Sequence, residues 1–134
     1  MHTILKTAIV LAFGVISSCT SKKQEEMTTE QLYSYSLPRT GTLIGNKSQG
    51  SCFFIDSNVV ASNYHVIEGN TSLYIKDNTG KIYDVLGYLA INKEQDIALV
   101  STKEKVPTFF KISEAELKPG KQVFVLGSPR GLNN

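Results

Sequence analysis

The sequence predicts an all-β protein, an antiparallel barrel or sandwich, and three observations predict it. Short apolar or alternating runs recur from Thr40 onward, as expected of half-buried strands. Clusters of Asn, Asp and Gly separate these runs, and these residues tolerate the backbone of tight hairpins. No intervening segment is long enough for a crossover helix, which argues against a parallel sheet.

Composition narrows the class of protein. The chain has 134 residues, which is the size of one domain, and its 41% hydrophobic content is enough for a packed core. A formal charge of +2 excludes a strongly basic nucleic-acid binder. Two cysteines exclude a scaffold held by several disulfides, and no Cys/His cluster has the spacing of a metal site.

The N-terminus has the pattern of a secretory signal. Residues 1–6 carry one Lys, and the apolar run 8–16 is about half the ~20 residues that span a bilayer. The sequence ISSC at 16–19 resembles a bacterial lipobox. We therefore expect 1–18 to be a lipoprotein signal peptide, with Cys19 lipidated and tethered to a membrane surface. The alternative is a buried apolar N-terminal helix with an incidental cysteine.

Residues 19–39 are predicted to be a polar tether, with one helical turn near 28–32, because they lack a sustained apolar stripe. Residues 40–134 are predicted to be the folded domain. The predicted strands cover 42–44, 51–56, 59–62, 72–76, 81–91, 96–101, 108–112 and 122–126.

His65 is the single histidine of the predicted mature chain. It ends a β-branched strand and opens a short turn, where a side chain can project into a cleft. An imidazole titrates near neutrality and suits a general base. Taken alone, the residue has two interpretations, a structural histidine or a catalytic one.

Asp96 precedes three apolar residues. We therefore expect its carboxylate to be shielded from water, where it needs a hydrogen-bonded partner. One interpretation is a strand-start Asp that satisfies backbone N–H groups. The other is a carboxylate that orients His65, as acyl transfer by a serine requires. A hairpin separates the two residues, so a sheet that curls into a barrel brings them together.

Four segments resemble one family in order and spacing: GSCFFI at 50–55, VASNYHVI at 60–67, DIALV at 96–100 and VFVLGSPRGL at 123–132. They resemble the trypsin-like serine peptidase superfamily, in particular its HtrA/DegP-like bacterial branch. The resemblance implies a trypsin-like antiparallel β-barrel, the first of two, plus the start of the second. It also implies His65 as general base, Asp96 as its orienting carboxylate, polypeptide substrates, no cofactor and no metal, and it allows an oligomer.

The sequence departs from the family pattern in two places. No G-x-S-G-G-type nucleophile segment precedes the last residue, Asn134, and Ser128 does not match that motif. The 134-residue chain alone is therefore expected to be inactive and to self-associate through an uncovered apolar interface. Cys52 stands where relatives usually have Gly, and we expect it to be a small buried residue without a reactive thiol.

Two functions follow. The first is a serine endopeptidase, of which this chain is the N-terminal part. The alternative is a non-catalytic, protease-like lipoprotein that acts as a binding or scaffolding module. In both cases the lipobox predicts the bacterial cell envelope, with the protein anchored at Cys19 and facing the periplasm or the cell surface.

Overall fold

Six antiparallel strands close into a barrel in the order β1-β2-β3-β6-β5-β4. The computed structural model describes residues 27–127. In chain order, the elements of this part are α1 (Thr29–Ser36), a 3-10 turn (Leu37–Arg39), β1 (Thr40–Gly45), β2 (Gln49–Asp56), β3 (Val59–Ser62), α2 (Tyr64–Ile67), β4 (Leu73–Asp77), β5 (Ile82–Asn92) and β6 (Ile97–Thr102). The predicted all-β barrel is confirmed.

The core fills the barrel because alternate residues of each strand point inward. On β2, Cys52 and Phe54 are buried while Phe53 between them is exposed. The Phe54 ring meets the Tyr83 ring edge-on, with centroids 5.6 Å apart, a favourable aromatic geometry. The other strands contribute Leu43, Val60, Ile75, Ala98 and Val100.

The β4–β5 turn shows how the Asp, Asn and Gly residues between two predicted strands form a tight turn. One oxygen of the Asp77 carboxylate accepts hydrogen bonds from the backbone N–H groups of Thr79 and Lys81, at 2.8 and 2.9 Å. Gly80 takes a φ of 89°, which a residue without Cβ adopts freely. Partial burial would raise the pKa of the Asp77 carboxyl, but the bonds from Thr79, Lys81 and Tyr83 lower it below its ordinary value. The turn is therefore held by an ionised side chain at neutral pH.

Two predicted strands, 108–112 and 122–126, are wrong, since neither segment is in a strand. Each of the six barrel strands already has a partner on both sides, so no edge is left for them. The first segment instead crosses the barrel surface, where the Phe110 N–H donates to the Phe54 carbonyl at 2.8 Å.

Helix α1 is longer than the turn predicted at 28–32. Its N-terminus is a capping box: the Thr28 hydroxyl accepts from the Gln31 N–H, and the Gln31 side chain accepts from the Thr28 N–H. The pattern T-x-x-Q was visible in the sequence and is a signal of a helix start. Beyond the helix, the Arg39 guanidinium lies 3.7 Å from the Tyr35 ring centroid, and its Nε donates to the Phe109 carbonyl at 3.2 Å.

Residues 1–26 and 128–134 lie outside the described part. The predicted lipidation site Cys19 and the stretch that begins at Ser128 lie in these two segments. Between residues 27 and 127, no helix has the length and apolar character needed to cross a bilayer.

Cys52 is confirmed as a small buried residue, and burial raises the pKa of its thiol to about 12, partly offset by a hydrogen bond with the Gly41 backbone. Because only the thiolate alkylates, we expect native Cys52 to react with iodoacetamide about 10³-fold more slowly than an ordinary thiol near neutral pH. The measurement is mass spectrometry of a Cys19→Ser chain, with guanidinium-unfolded protein as control. Complete labelling of the folded chain at the unfolded rate would contradict this expectation.

Candidate active site

His65 sits on a single helical turn at one end of the barrel. Strand β3 ends at Ser62, and α2 begins after Asn63. Val66 and Ile67 of this turn are buried in the core, which fixes the turn against the barrel. The His65 side chain points the other way and is 68% exposed, so its ring is open to a reaction partner.

Asp96 lies in the turn between β5 and β6, immediately before β6 begins at Ile97. Its N–H donates to the Lys93 carbonyl at 3.3 Å. Its φ of 54° is in the left-handed region, which Asp tolerates better than most residues. The backbone reversal aims the carboxylate at α2 rather than along the sheet.

The structure brings the two predicted site residues into direct contact. Asp96 Oδ2 lies 2.6 Å from His65 Nδ1, and Asp96 Oδ1 accepts the His65 backbone N–H at 2.9 Å. An ionised carboxylate only accepts hydrogen bonds, so Nδ1 carries the proton and Nε2 is the basic nitrogen of the neutral ring. This is the tautomer that a general base needs. The predicted contact is confirmed, while the catalytic roles stay predictions.

The predicted shielding of Asp96 is wrong, because its side chain is 42% exposed. Hydrogen bonds, and not burial, determine the shift in the pKa of the Asp96 carboxyl. The His65 backbone N–H contributes most to lowering the pKa of the Asp96 carboxyl, followed by the His65 ring. Asp96 is therefore ionised at neutral pH. It satisfies a backbone N–H and also contacts the imidazole, and its role in orienting His65 for catalysis stays a prediction.

Asn70 is a structural residue of the site that sequence reasoning missed. Its Nδ2 donates to the Val66 carbonyl and to the Ser48 hydroxyl, both at 2.9 Å. Its Oδ1 accepts the Lys47 N–H at 2.8 Å. One amide thereby ties the His65 turn to the β1–β2 loop. In the sequence, Asn70 lies next to Gly69 between the predicted strands 59–62 and 72–76, and nothing in that pattern marks a long-range contact.

Gly50 is the second missed residue, because α2 packs directly on it. A Cβ at this position would overlap Cγ2 of the buried Val66. Val66 is stiff at χ1 and is buried in the core. Gly50→Ala is therefore expected to cost about 1–3 kcal/mol in unfolding free energy and to shift the NMR signals of His65.

Gly87 is the matched control for this substitution, since a Cβ there meets nothing within 4 Å. Urea unfolding followed by circular dichroism compares the two variants. Equal stability of Gly50→Ala and Gly87→Ala would contradict the close packing described for α2.

No group of three or more His, Cys, Asp or Glu residues that could hold a metal ion is found in residues 27–127. The pair that the structure places together is an imidazole with one carboxylate. Such a pair can take a proton from a hydroxyl and return it to a leaving group.

A closed six-stranded antiparallel barrel with a His–carboxylate pair at one end is the arrangement found in trypsin-like serine peptidases. A family model described as the trypsin-like peptidase domain matches residues 50–134, which is more than half of the chain. The chain belongs to the trypsin-like peptidase domain family.

Curated relatives match about two thirds of this chain. The anti-sigma-I factor RsgI9 of Acetivibrio thermocellus is 32% identical over 89 residues, which are 65% of this chain and 13% of the relative. Serine protease HTRA1 of Xenopus laevis is 30% identical over 90 residues, which are 65% of this chain and 19% of the relative. The chain thus spans less than a fifth of the length of either protein.

Solved structures share the fold. The Rv3671c protease of M. tuberculosis, in an inactive form, superposes with a TM-score of 0.57 at 16% identity, over 65% of this chain and 43% of that one. The serine endoprotease from Yersinia pestis gives a TM-score of 0.55 at 16% identity, over 66% of this chain and 34% of that one. These likenesses support the barrel architecture.

Proposed function

We propose that this chain supplies the general base and its orienting carboxylate to a serine endopeptidase. The observation that carries the proposal is the 2.6 Å contact between His65 Nδ1 and Asp96 Oδ2, in a chain of the trypsin-like peptidase domain family. The similarity to serine protease HTRA1 supports polypeptide substrates and an HtrA-like branch.

In the proposed mechanism, His65 Nε2 accepts the proton of a serine hydroxyl as its oxygen bonds to the peptide carbonyl carbon. Asp96 stabilises the imidazolium that forms. His65 then gives the proton to the departing amine, and the C–N bond breaks to leave an acyl-enzyme. A water molecule repeats the sequence and releases the acid. We propose that none of the serines in this 134-residue sequence is the nucleophile, since none lies in a G-x-S-G-G-type segment.

The test is hydrolysis of labelled casein by the complete gene product, together with covalent capture by a fluorophosphonate probe. We expect hydrolysis and one labelled serine in the complete product, and neither in the 134-residue chain alone. A complete product that neither hydrolyses casein nor reacts with the probe would overturn the peptidase proposal. Hydrolysis by the 134-residue chain would overturn the proposed position of the serine.

A second candidate is a non-catalytic binding or scaffolding module. One observation favours it: a relative at 32% identity is named an anti-sigma factor and not a peptidase. This candidate would be supported by a protein that neither hydrolyses casein nor reacts with the probe but still binds a defined partner. His65→Ala should then bind that partner with unchanged affinity. Loss of casein hydrolysis in the same variant would support the peptidase.

We also propose that Cys19 is lipidated and anchors the protein in the bacterial cell envelope, facing the periplasm or the cell surface. The support is the signal-like pattern of residues 1–19. Expressed in bacteria, the wild-type chain is expected to partition into the detergent phase of Triton X-114 and to gain the mass of a lipid at Cys19. A Cys19→Ala chain that partitions identically would overturn the proposal.

A further inference from the structure

Asn63 occupies the N-cap position of α2 without capping it. Asn is favoured at N-caps because its side-chain oxygen accepts a backbone N–H from the first helical turn. Here the Asn63 side chain makes no such bond. Its Nδ2 instead donates to the backbone carbonyl of Asp96 at 3.0 Å, across 33 residues of sequence.

Asp96 takes over the capping of α2. Its backbone carbonyl accepts the Tyr64 N–H at 3.2 Å, and its carboxylate accepts the His65 N–H at 2.9 Å. The first two N–H groups of α2, which a helix leaves without internal partners, are thereby satisfied by the turn that carries the carboxylate. The Asn63 side chain, which caps nothing in α2, donates to the same Asp96 carbonyl as the Tyr64 N–H.

The backbone of Asp96 needs such a restraint. Its φ of 54° is one that non-glycine residues keep only where their surroundings hold it. A rotation of this residue would move both carboxylate oxygens away from His65 together. The pKa of the Asp96 carboxyl is lowered chiefly by the His65 backbone N–H, and the Asn63 amide adds a smaller lowering.

We propose that Asn63 is a positioning residue of the proposed peptidase: by holding the Asp96 carbonyl, it keeps the carboxylate on the backbone N–H and on Nδ1 of His65 at the same time. The inference rests on the proposed function for its catalytic meaning. Its physical content, a His65 ring fixed in one tautomer by way of Asn63, is measurable without any hydrolysis.

The experiment observes the Nδ1–H proton of His65 by NMR in the full chain labelled with ¹⁵N-histidine. The chain has only one other histidine, His2, and His2→Gln removes its signal. We expect a low-field Nδ1–H resonance in this background and its loss in Asn63→Leu, which keeps the size of the side chain and removes its donor.

Acid titration gives a second reading of the same variants. Because the pKa of the Asp96 carboxyl is lowered, the resonance should survive acidification to below the ordinary range of an aspartate. It should disappear once that carboxyl is protonated. Any contact remaining in Asn63→Leu should be lost at a higher pH, since a donor that favours the ionised form has been removed.

Asn78→Leu is the matched control. The Asn78 amide likewise donates to backbone carbonyls, of Leu37 and Thr40, at 2.8 and 3.1 Å. Its hydrogen bonds connect the 3-10 turn and β1 to the β4–β5 turn, and none of them joins α2 to Asp96. We expect this variant to lose thermal stability and to keep the resonance unchanged. If Asn63→Leu keeps the Nδ1–H resonance and loses it at the same pH as the His2→Gln chain does, the proposal is overturned.

A measurement on the His2→Gln chain alone covers the case in which Asn63→Leu does not fold. A hydrogen bond transmits a scalar coupling from ¹⁵Nδ2 of Asn63 to the ¹³C carbonyl of Asp96, and its detection supports the proposal. Its absence, with ordinary solvent exchange of the Asn63 amide, overturns it. Failure of casein hydrolysis would count against the peptidase alone, because none of these readouts depends on turnover.

Discussion

His65→Ala is expected to lower kcat/KM for casein hydrolysis by the complete gene product about 10⁶-fold, and Asp96→Asn about 10⁴-fold. In the proposed mechanism His65 accepts the serine proton, so its removal takes away the general base. Without the carboxylate, the ring loses the partner at 2.6 Å that keeps the proton on Nδ1. An amide at position 96 can donate to Nδ1 and would stabilise the opposite tautomer.

The comparison needs a control for general damage to the fold. Asp84→Asn makes the same chemical change at an exposed position of β5 and should leave kcat/KM within about twofold of wild type. Because the two site residues act as a unit, the double variant should be no slower than His65→Ala. A loss below tenfold in either single variant, with normal folding, would exclude the proposed roles.

The barrel could be predicted because strand alternation is local. On β5, Tyr83, Asp84 and Val85 alternate apolar and polar in the sequence, and the structure buries Tyr83, exposes Asp84 and partly buries Val85. What the pattern leaves open is which strand pairs with which. The barrel depends on the pairing of β1 with β4 and of β3 with β6, which join residues some thirty to forty positions apart and which no short window of sequence contains.

The sequence predicts that His65 and Asp96 contact each other, but it predicts the solvent exposure of Asp96 wrongly. Asp96 was expected in a shielded strand because apolar residues follow it, yet Ile97 beside it is half exposed and burial begins only at Ala98. The alternation of inward and outward side chains predicts burial only within a strand. It does not predict the burial of a turn residue such as Asp96, which precedes the strand. The left-handed backbone of Asp96 and the diverted amide of Asn63 depend on tertiary contacts in the same way.

Phe54→Ala is expected to lower the free energy of unfolding by about 3–5 kcal/mol. The Phe54 side chain is 1% exposed and meets Tyr83 edge-on, so truncation leaves a cavity whose walls are strands closed into a ring. Such walls collapse little, because each strand is paired on both sides. Since domains of this size are stable by about 5–15 kcal/mol, the variant should lie near the limit of folding.

Phe53→Ala is the matched control on the same strand. It removes the same atoms from the outer face, where the Phe53 side chain is 45% exposed, and should cost about 1 kcal/mol or less. Urea unfolding followed by circular dichroism compares the two, since the chain has no Trp. Equal midpoints would mean that the inner and outer faces of β2 are wrongly assigned. That error would also move Cys52 out of the core and the His65 turn off Gly50.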